Sequence, residues 1–266
     1  ELGRPRPDHR HQRPVQGRPR RLHHQQQAQE QFLANAAHQL RTPLAVLRTE
    51  IELALRRPRE HAELKAALEM ANTETARLTL LARKLLDFES LRSQSVELQA
   101  QPLLPLITEV LERQQHHAGG KRITIVPPAH VDVAVKCDRL LLTQALENIV
   151  DNALRFAPAD SEVTVDWDAR PGGEHRISVR DHGPGIPPGE LESIFESFVQ
   201  SSRTKDGSGG TGLGLAICRK IMAGHDGCIR ARNHPDGGAV FEIVLPALTE
   251  PEVAAAQAMA RARALA

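Results

Sequence analysis

Residues 32–55 read FLANAAHQLRTPLAVLRTEIELAL, a stretch that sets one histidine beside a periodic apolar stripe. Leu33, Ala37, Leu40, Leu44, Leu47, Ile51 and Leu55 recur at three- and four-residue spacing, which predicts one long helix from Gln25 to Leu55 with a single buried face. Pro43 removes a backbone donor from that helix and predicts a bend one turn beyond His38. Arg56-Arg57-Pro58-Arg59 breaks the pattern, and a second stripe follows through Leu64, Leu68, Ala71, Thr75, Leu78, Ala82 and Leu85. Two such helices make an antiparallel hairpin. One hairpin alone buries little surface, whereas two packed together make a four-helix bundle, so a homodimer through residues 26–90 is expected.

Outside this hairpin the composition narrows the choices. A chain of 266 residues holds one large domain or two modest ones, and its formal net charge of +1 exerts no overall pull on nucleic acid or an acidic membrane. Residues 1–24 hold seven arginines against one glutamate and one aspartate, with four prolines and four histidines. Such a run cannot build a core and reads as a solvated, disordered linker over residues 1–25, with a basic juxtamembrane or nucleic-acid-binding arm as the alternative; no aromatic residue is interleaved to stack on bases. Cys137, Cys218 and Cys228 form no close metal-type pair and read as free thiols of a reducing compartment. No run approaches 18 consecutive apolar residues, so no membrane-spanning helix is expected within the chain.

After Ser90 the periodicity changes. Val96–Leu98 and Val131–Val133 read as short strands, 102–116 as a helix, and Gly119-Gly120 as a turn before the alternating Arg122–Ile125. A strong helix pattern covers 138–156. Strands follow at Glu162–Trp167, Arg176–Val179, Cys228–Ala231 and Ala239–Val244, with a helix at 211–224. Pro184 to Gly210, rich in Gly, Ser and Pro with few apolar anchors, reads as a mobile loop. This mixture predicts an α+β chain: the helical hairpin over 26–92, a two-layer sandwich over 96–246, and an Ala-rich tail over 247–266.

Several residues carry chemistry. His38 lies about 100° around the helix from Ala37 and should stand on the bundle's flank, where a neutral imidazole nitrogen is a nucleophile. Arg41 and Thr42 lie three and four residues on, close to its face. By spacing alone His38 is an ordinary surface histidine. Asn148 and Asn152 share a helical face, and their carbonyl oxygens suit magnesium that also carries phosphate and water, with Arg155 in reach of a phosphate. By itself a pair of helical asparagines reads as structural. In Asp181-His182-Gly183-Pro184-Gly185-Ile186 a carboxylate can accept a hydrogen bond from an amino group, and the glycines permit close backbone approach. The run Gly207–Leu215 (GSGGTGLGL) offers backbone donors and a helix start to phosphates. It lacks the lysine and following Ser or Thr of a P-loop, and it comes too late in the chain for a dinucleotide-binding fold.

Taken in order, these segments resemble those of two-component sensor histidine kinases. Phe32–Leu44 resembles the family's phosphoacceptor box, Leu146–Pro158 its asparagine box, Asp181–Ile186 its first glycine box, Ile194–Phe198 its phenylalanine box, and Gly207–Leu215 its second glycine box. The resemblance implies a dimeric phosphoacceptor hairpin followed by an ATP-binding domain of the histidine-kinase, gyrase and chaperone type. It implies autophosphorylation of His38 from ATP with magnesium, then transfer to an aspartate of a response regulator. Asn148 and Asn152 would hold the metal, and Asp181 would read adenine. Arg155, Gly183, Gly185, Gly210, Thr211, Gly212, Leu213 and Gly214 would bind the rest of the nucleotide. The family usually places an acidic residue after the histidine; Gln39 stands here and cannot take a proton. That departure raises a phosphatase-dominant or weak kinase as the alternative, with Thr42 in the place of the residue that orients water. A different ATPase of the same superfamily would leave the segment around His38 unexplained, and a dimeric scaffold would leave the glycine boxes unexplained. The resemblance also implies the cytoplasmic portion of a membrane-anchored bacterial sensor, with the anchor upstream of this chain.

Overall fold

The computed structural model describes residues 18–56, 60–93, 95–129, 133–204 and 210–249, together with Glu252. Two long helices open it, α1 (Arg18–Leu55) and α2 (His61–Ser93), packed against each other as a hairpin. Helix α1 starts before the expected Gln25, so residues 18–25, assigned to the disordered linker by composition, form its first turns. Pro19 at the helix start explains this, because a proline in the first turn loses no hydrogen bond, and the Arg, Leu and Gln that follow are good helix formers. Pro43 lies inside α1 without ending it. The rest of the expected linker and most of the expected Ala-rich tail lie outside the described residues.

The apolar stripe of α1 is not buried within one chain. Leu33 is 57% exposed and Leu55 80%, while Ala37 and Leu44 are also open; Phe32, Ala36 and Pro43 are the covered positions. On α2, Leu64, Leu68 and Leu86 are exposed as well. An amphipathic helix pair leaving this face open requires another apolar surface to cover it.

The second half is a two-layer sandwich. Strands β1 (Gln99–Pro102) and β3 (Ala134–Cys137) pair antiparallel at one side. The main sheet holds β2 (Thr124–Val126), β4 (Glu162–Ala169), β5 (His175–Arg180), β6 (Cys228–Asn233) and β7 (Ala239–Leu245) in the order β2-β4-β5-β7-β6, antiparallel except for the β2–β4 pair. Helices α3 (Leu103–Lys121), α4 (Arg139–Phe156) and α5 (Gly214–Gly224) complete it. Leu106, Leu142, Ile149, Ile217 and Ile221 from the helices are buried with Val163, Ile177, Phe241 and Ile243 from the sheet. The sheet's other face is polar: Arg176 bonds Asp168 at 2.6 Å and Glu242 at 3.1 Å, and Arg232 bonds Glu242 at 3.1 Å. The alternation along β4 and β5 therefore separates a core face from a charged face.

Three sequence expectations shift. Helix α3 runs through Gly119-Gly120, because Ala118 is buried beneath it, and the left-handed residue that ends it is Arg122 (φ 54°). Arg122 is held there by two bonds to Asp160, at 2.6 and 2.7 Å. Val96–Leu98 is not a strand; the strand falls at Gln99–Pro102, where β3 offers a partner. The segment from Pro184 to Thr204 is anchored, with 3-10 turns at Pro188–Glu190, Ser193–Phe195 and Ser202–Thr204. Ile186, Ile194 and Phe195 are buried, and the Glu190 carboxylate accepts from Ser201 Oγ at 2.7 Å and Ser202 N at 3.0 Å. Three apolar side chains suffice to tether it; residues 205–209 of the expected mobile loop lie outside the described residues.

Candidate functional site

Helix α4 begins on Asp138, whose carboxylate accepts from Leu140 N and Leu141 N, a side-chain cap worth about 1 kcal/mol. Its apolar face (Leu142, Ala145, Leu146, Ile149, Ala153) is buried, which turns Asn148, Asn152 and Arg155 toward a cleft. The cleft, counted with the open solvent at its mouth, measures about 880 Å³.

At one side lies Asp181, only 3% exposed, at the end of β5. Its Oδ1 accepts from Gly183 N at 2.8 Å and from Ala239 N at 3.1 Å. Both bonds use one oxygen, so Oδ2 has no hydrogen bond among the described residues and is free to accept from a ligand's amino group. Burial pushes the Asp181 carboxyl above the ordinary carboxylate range, and the two backbone donors oppose that shift. Gly183 does not line the cleft; it serves Asp181. A Cβ on it would come within 2.7 Å of Phe156 O. Gly185 does line the cleft, at φ +70°, and Asn233 clamps the next peptide: Ile186 N donates to Asn233 Oδ1 at 2.8 Å, and Asn233 Nδ2 donates to Ile186 O at 2.7 Å.

The opposite side is made by Gly210, Thr211, Gly212 and Gly214. Gly212 (φ +69°) passes so close to Phe198 that a Cβ would lie 2.7 Å from its carbonyl carbon, and Phe198 N donates to Gly212 O at 2.9 Å. Leu213, expected in the nucleotide site, is fully buried in the core instead, fixing the start of α5 from below. Arg155 packs against Gly210 and pairs with Asp151 at 3.1 Å.

These residues suit a magnesium nucleotide. The Asp181 carboxylate and the glycine run Gly210–Gly214 both line the cleft. Two carboxamides there offer hard neutral oxygens. The described residues contain no group of three or more His, Cys, Asp or Glu able to hold a metal alone. A metal on Asn148 and Asn152 would therefore need phosphate oxygens and water to fill its coordination, which is how magnesium binds with nucleotides.

The hairpin reaches this cleft. Phe32 of α1 stacks on Phe88 of α2 (centroids 4.7 Å apart) and meets Phe198 at 5.2 Å. Lys220 of α5 donates to Phe88 O at 2.7 Å and lies 4.3 Å over the Phe88 ring. Lys84 of α2 enters the cleft and donates to Asn148 Oδ1 at 2.9 Å; burial pulls its ammonium below the ordinary lysine range, with Asp151 opposing. His38 and Thr42 are exposed on α1, Gln39 is half-buried, and none of the three lines the cleft. Sequence reading missed Lys84 and Asn233, because each meets the site across more than forty residues and belongs to no local pattern.

Comparison with known proteins agrees with this geometry. Residues 28–94 match the His Kinase A (phospho-acceptor) domain, and residues 137–249 match the histidine kinase-, DNA gyrase B- and HSP90-like ATPase. The chain is 30% identical over 224 residues to the sensor-like histidine kinase SenX3 of Mycolicibacterium smegmatis, covering 83% of this chain and 58% of that protein. It is 32% identical over 232 residues to the sensor protein KdpD of Escherichia coli K12, covering 86% of this chain and 25% of KdpD. The chain thus spans little more than half, or less, of these relatives. Among solved structures, histidine kinase ThkA in complex with response regulator protein TrrA superposes with a TM-score of 0.73 at 25% identity, over 86% of this chain and 65% of that one. The ThkA catalytic domain gives 31% identity and a TM-score of 0.50 over 56% of this chain and 97% of that one. With a phosphoacceptor hairpin and a nucleotide-type cleft joined in one chain, the protein belongs to the sensor histidine kinase family.

Proposed function

We propose that the chain uses magnesium and ATP to phosphorylate His38 and then passes the phosphoryl group to an aspartate of a separate response regulator. The observation that carries this reading is the joining of two parts: a cleft with a buried, half-satisfied Asp181, and a hairpin with an exposed histidine on its first helix. Asp181 Oδ2 accepts from the adenine amino group, while Gly183 and Ala239 hold the carboxylate in place. Asn148 and Asn152 hold magnesium, which supplies positive charge at the phosphate oxygens. Arg155 and the backbone of Gly210–Gly214 line the phosphate end.

An imidazole nitrogen of His38 attacks the γ-phosphorus, the bond to the bridging oxygen breaks, and ADP leaves. The attacking nitrogen carries no proton, and the proton on the other ring nitrogen is lost as the phosphorylated ring becomes neutral. Gln39 cannot take it, so water at the exposed ring receives it. A second copy of the chain covers the open apolar face of the hairpin, giving the dimeric bundle. The ThkA–TrrA complex supports a response regulator as the partner of this fold. Gln39 favours a second activity at the same place. With no acidic neighbour for His38, removal of phosphate from the regulator can dominate, and Thr42, exposed four residues along α1, orients the water.

Incubation with γ-labelled ATP and magnesium tests the reading. The parent chain is expected to gain acid-labile, base-stable label, and His38→Gln and Asn152→Ala to gain none. A parent that binds nucleotide and dimerises yet takes no label would overturn the kinase reading. For the phosphatase activity, Thr42→Ala is expected to slow loss of phosphate from the regulator.

A further inference from the structure

Lys84 belongs to the hairpin, yet its side chain ends inside the cleft of the other domain. Its Nζ donates to Asn148 Oδ1 at 2.9 Å and would lie 3.3 Å from a Cβ placed on Gly214, beside the first residue of α5. An ammonium has three donors. Among the described residues Lys84 makes this one hydrogen bond and no ion pair. The neighbouring carboxylate, Asp151, is already paired with Arg155 at 3.1 Å. A half-buried cation without a counter-ion is costly unless a ligand supplies one. Its two unspent donors sit where the glycine run Gly210–Gly214 meets the start of a helix, a place that itself favours anions.

We propose that Lys84 binds the phosphate oxygens of the nucleotide, so that the hairpin completes the phosphate site of the catalytic domain. The inference rests on the ATP site proposed above. The catalytic domain supplies the adenine end through Asp181, while the hairpin supplies one cation at the phosphate end. Nucleotide with its phosphates in place therefore holds the two domains in the docked arrangement, and loss of the phosphates loosens it. Lysine suits this task because its ammonium acts as a point charge on a long stem and can reach across a domain boundary.

The test measures binding to the full chain by calorimetry, with magnesium-ATP and adenosine as separate probes. Lys84→Met keeps the stem and removes the charge. It is expected to weaken magnesium-ATP binding at least tenfold and to leave adenosine binding unchanged. Lys84→Gln, which retains a donor for Asn148, is expected to match Lys84→Met and guards against a simple loss of docking. Magnesium-ATP binding to Lys84→Gln equal to the parent's would overturn the proposal, leaving Lys84 as a docking contact only. Tighter binding by either variant would also overturn it, because the ammonium would then be competing with the metal for Asn148. A parent that binds adenosine but gains nothing from the phosphates overturns the inference alone. A parent that binds neither probe overturns the ATP site and the inference together.

Discussion

The Phe32 ring lies 5.2 Å from that of Phe198, and this contact joins the helix that carries His38 to a segment that lines the cleft. Phe32 stands six residues before His38, and Phe198 holds a left-handed backbone (φ 67°) while donating its N–H to Gly212 O at 2.9 Å. A left-handed conformation costs a non-glycine residue about 1–2 kcal/mol. Tight packing against Gly212 on one side and the Phe32–Phe88 stack on the other offsets that cost. The hairpin and the glycine run thereby meet through one residue, the ring of Phe198 on one side and its backbone on the other.

Phe32→Ala removes the centre of that stack. Truncating a phenylalanine only 7% exposed costs about 3–5 kcal/mol in a rigid core, and less where two domains can part instead. The expected outcome is faster amide exchange over residues 186–204 and at the start of α5, with the core of the main sheet unchanged. Hydrogen-exchange mass spectrometry checks this, and unchanged protection of Phe198 and Gly212 would count against the link.

Asp181→Asn separates stability from binding. The carboxyl is pushed up by burial, so it is more basic in the folded chain than in the unfolded one. Its contribution to stability is fully present below the ordinary carboxylate value and is lost as pH rises through the raised folded value. At neutral pH the charged form is therefore a burden on the fold. The asparagine keeps an oxygen for Gly183 N and Ala239 N but turns an NH2 toward the adenine amino group. Melting temperature at pH 7 is expected to rise while ATP affinity falls about 10–100-fold, from the mispaired polar group. Calorimetric unfolding at pH 7 and pH 4 should show the gain at the higher pH only.

Asn233→Ala removes both bonds that clamp the Ile186 peptide, at 2.8 and 2.7 Å. Two half-buried polar groups lose their partner, at about 1–2 kcal/mol of stability in total. Gly185, at φ +70°, then has freedom to move, and adenosine and ATP affinity should fall by the same factor. Titration with both ligands distinguishes this from a change at the phosphate end, where ATP alone would suffer.

Gln39→Glu supplies a proton acceptor beside His38. General-base catalysis contributes typically about 10²–10⁴-fold where the base is well placed. On a half-buried position next to an exposed imidazole, a rise of about tenfold or more in the initial rate of labelling is expected. Stopped-time assays with γ-labelled ATP measure it, and an unchanged rate would mean that proton removal does not limit the reaction.

Leu33 and Leu55 are exposed within one chain, so a charge there should act on assembly rather than on the fold of the chain. Leu33→Glu combined with Leu55→Glu is expected to shift the protein from dimer to monomer at micromolar concentration. Sedimentation velocity reads the assembly, and circular dichroism checks that the helices persist. A dimer unaffected by both changes would place the interface elsewhere.

The sequence alone determined every feature that repeats with the period of its own element. Apolar spacing identified α1 and α2, alternation identified β4, β5 and β7, and the spacing of Asn148 and Asn152 put both on one face of α4, since these depend on neighbours three, four or two residues away. The missing lysine and Ser or Thr distinguished the glycine run from a P-loop, and its late place along the chain from a dinucleotide-binding fold. Tertiary structure alone decided which apolar face of the hairpin stays open, because Ala36 is buried and Ala37, a single step around the helix, is exposed, and only packing against other elements separates them. It alone sent Leu213 into the core, gave Gly183 to Asp181, and tethered residues 186–204 through three buried side chains. It also brought Lys84 to Asn148 and Asn233 to Ile186, pairs 64 and 47 residues apart. Contacts across such separations arise from packing between elements, where no local periodicity records them.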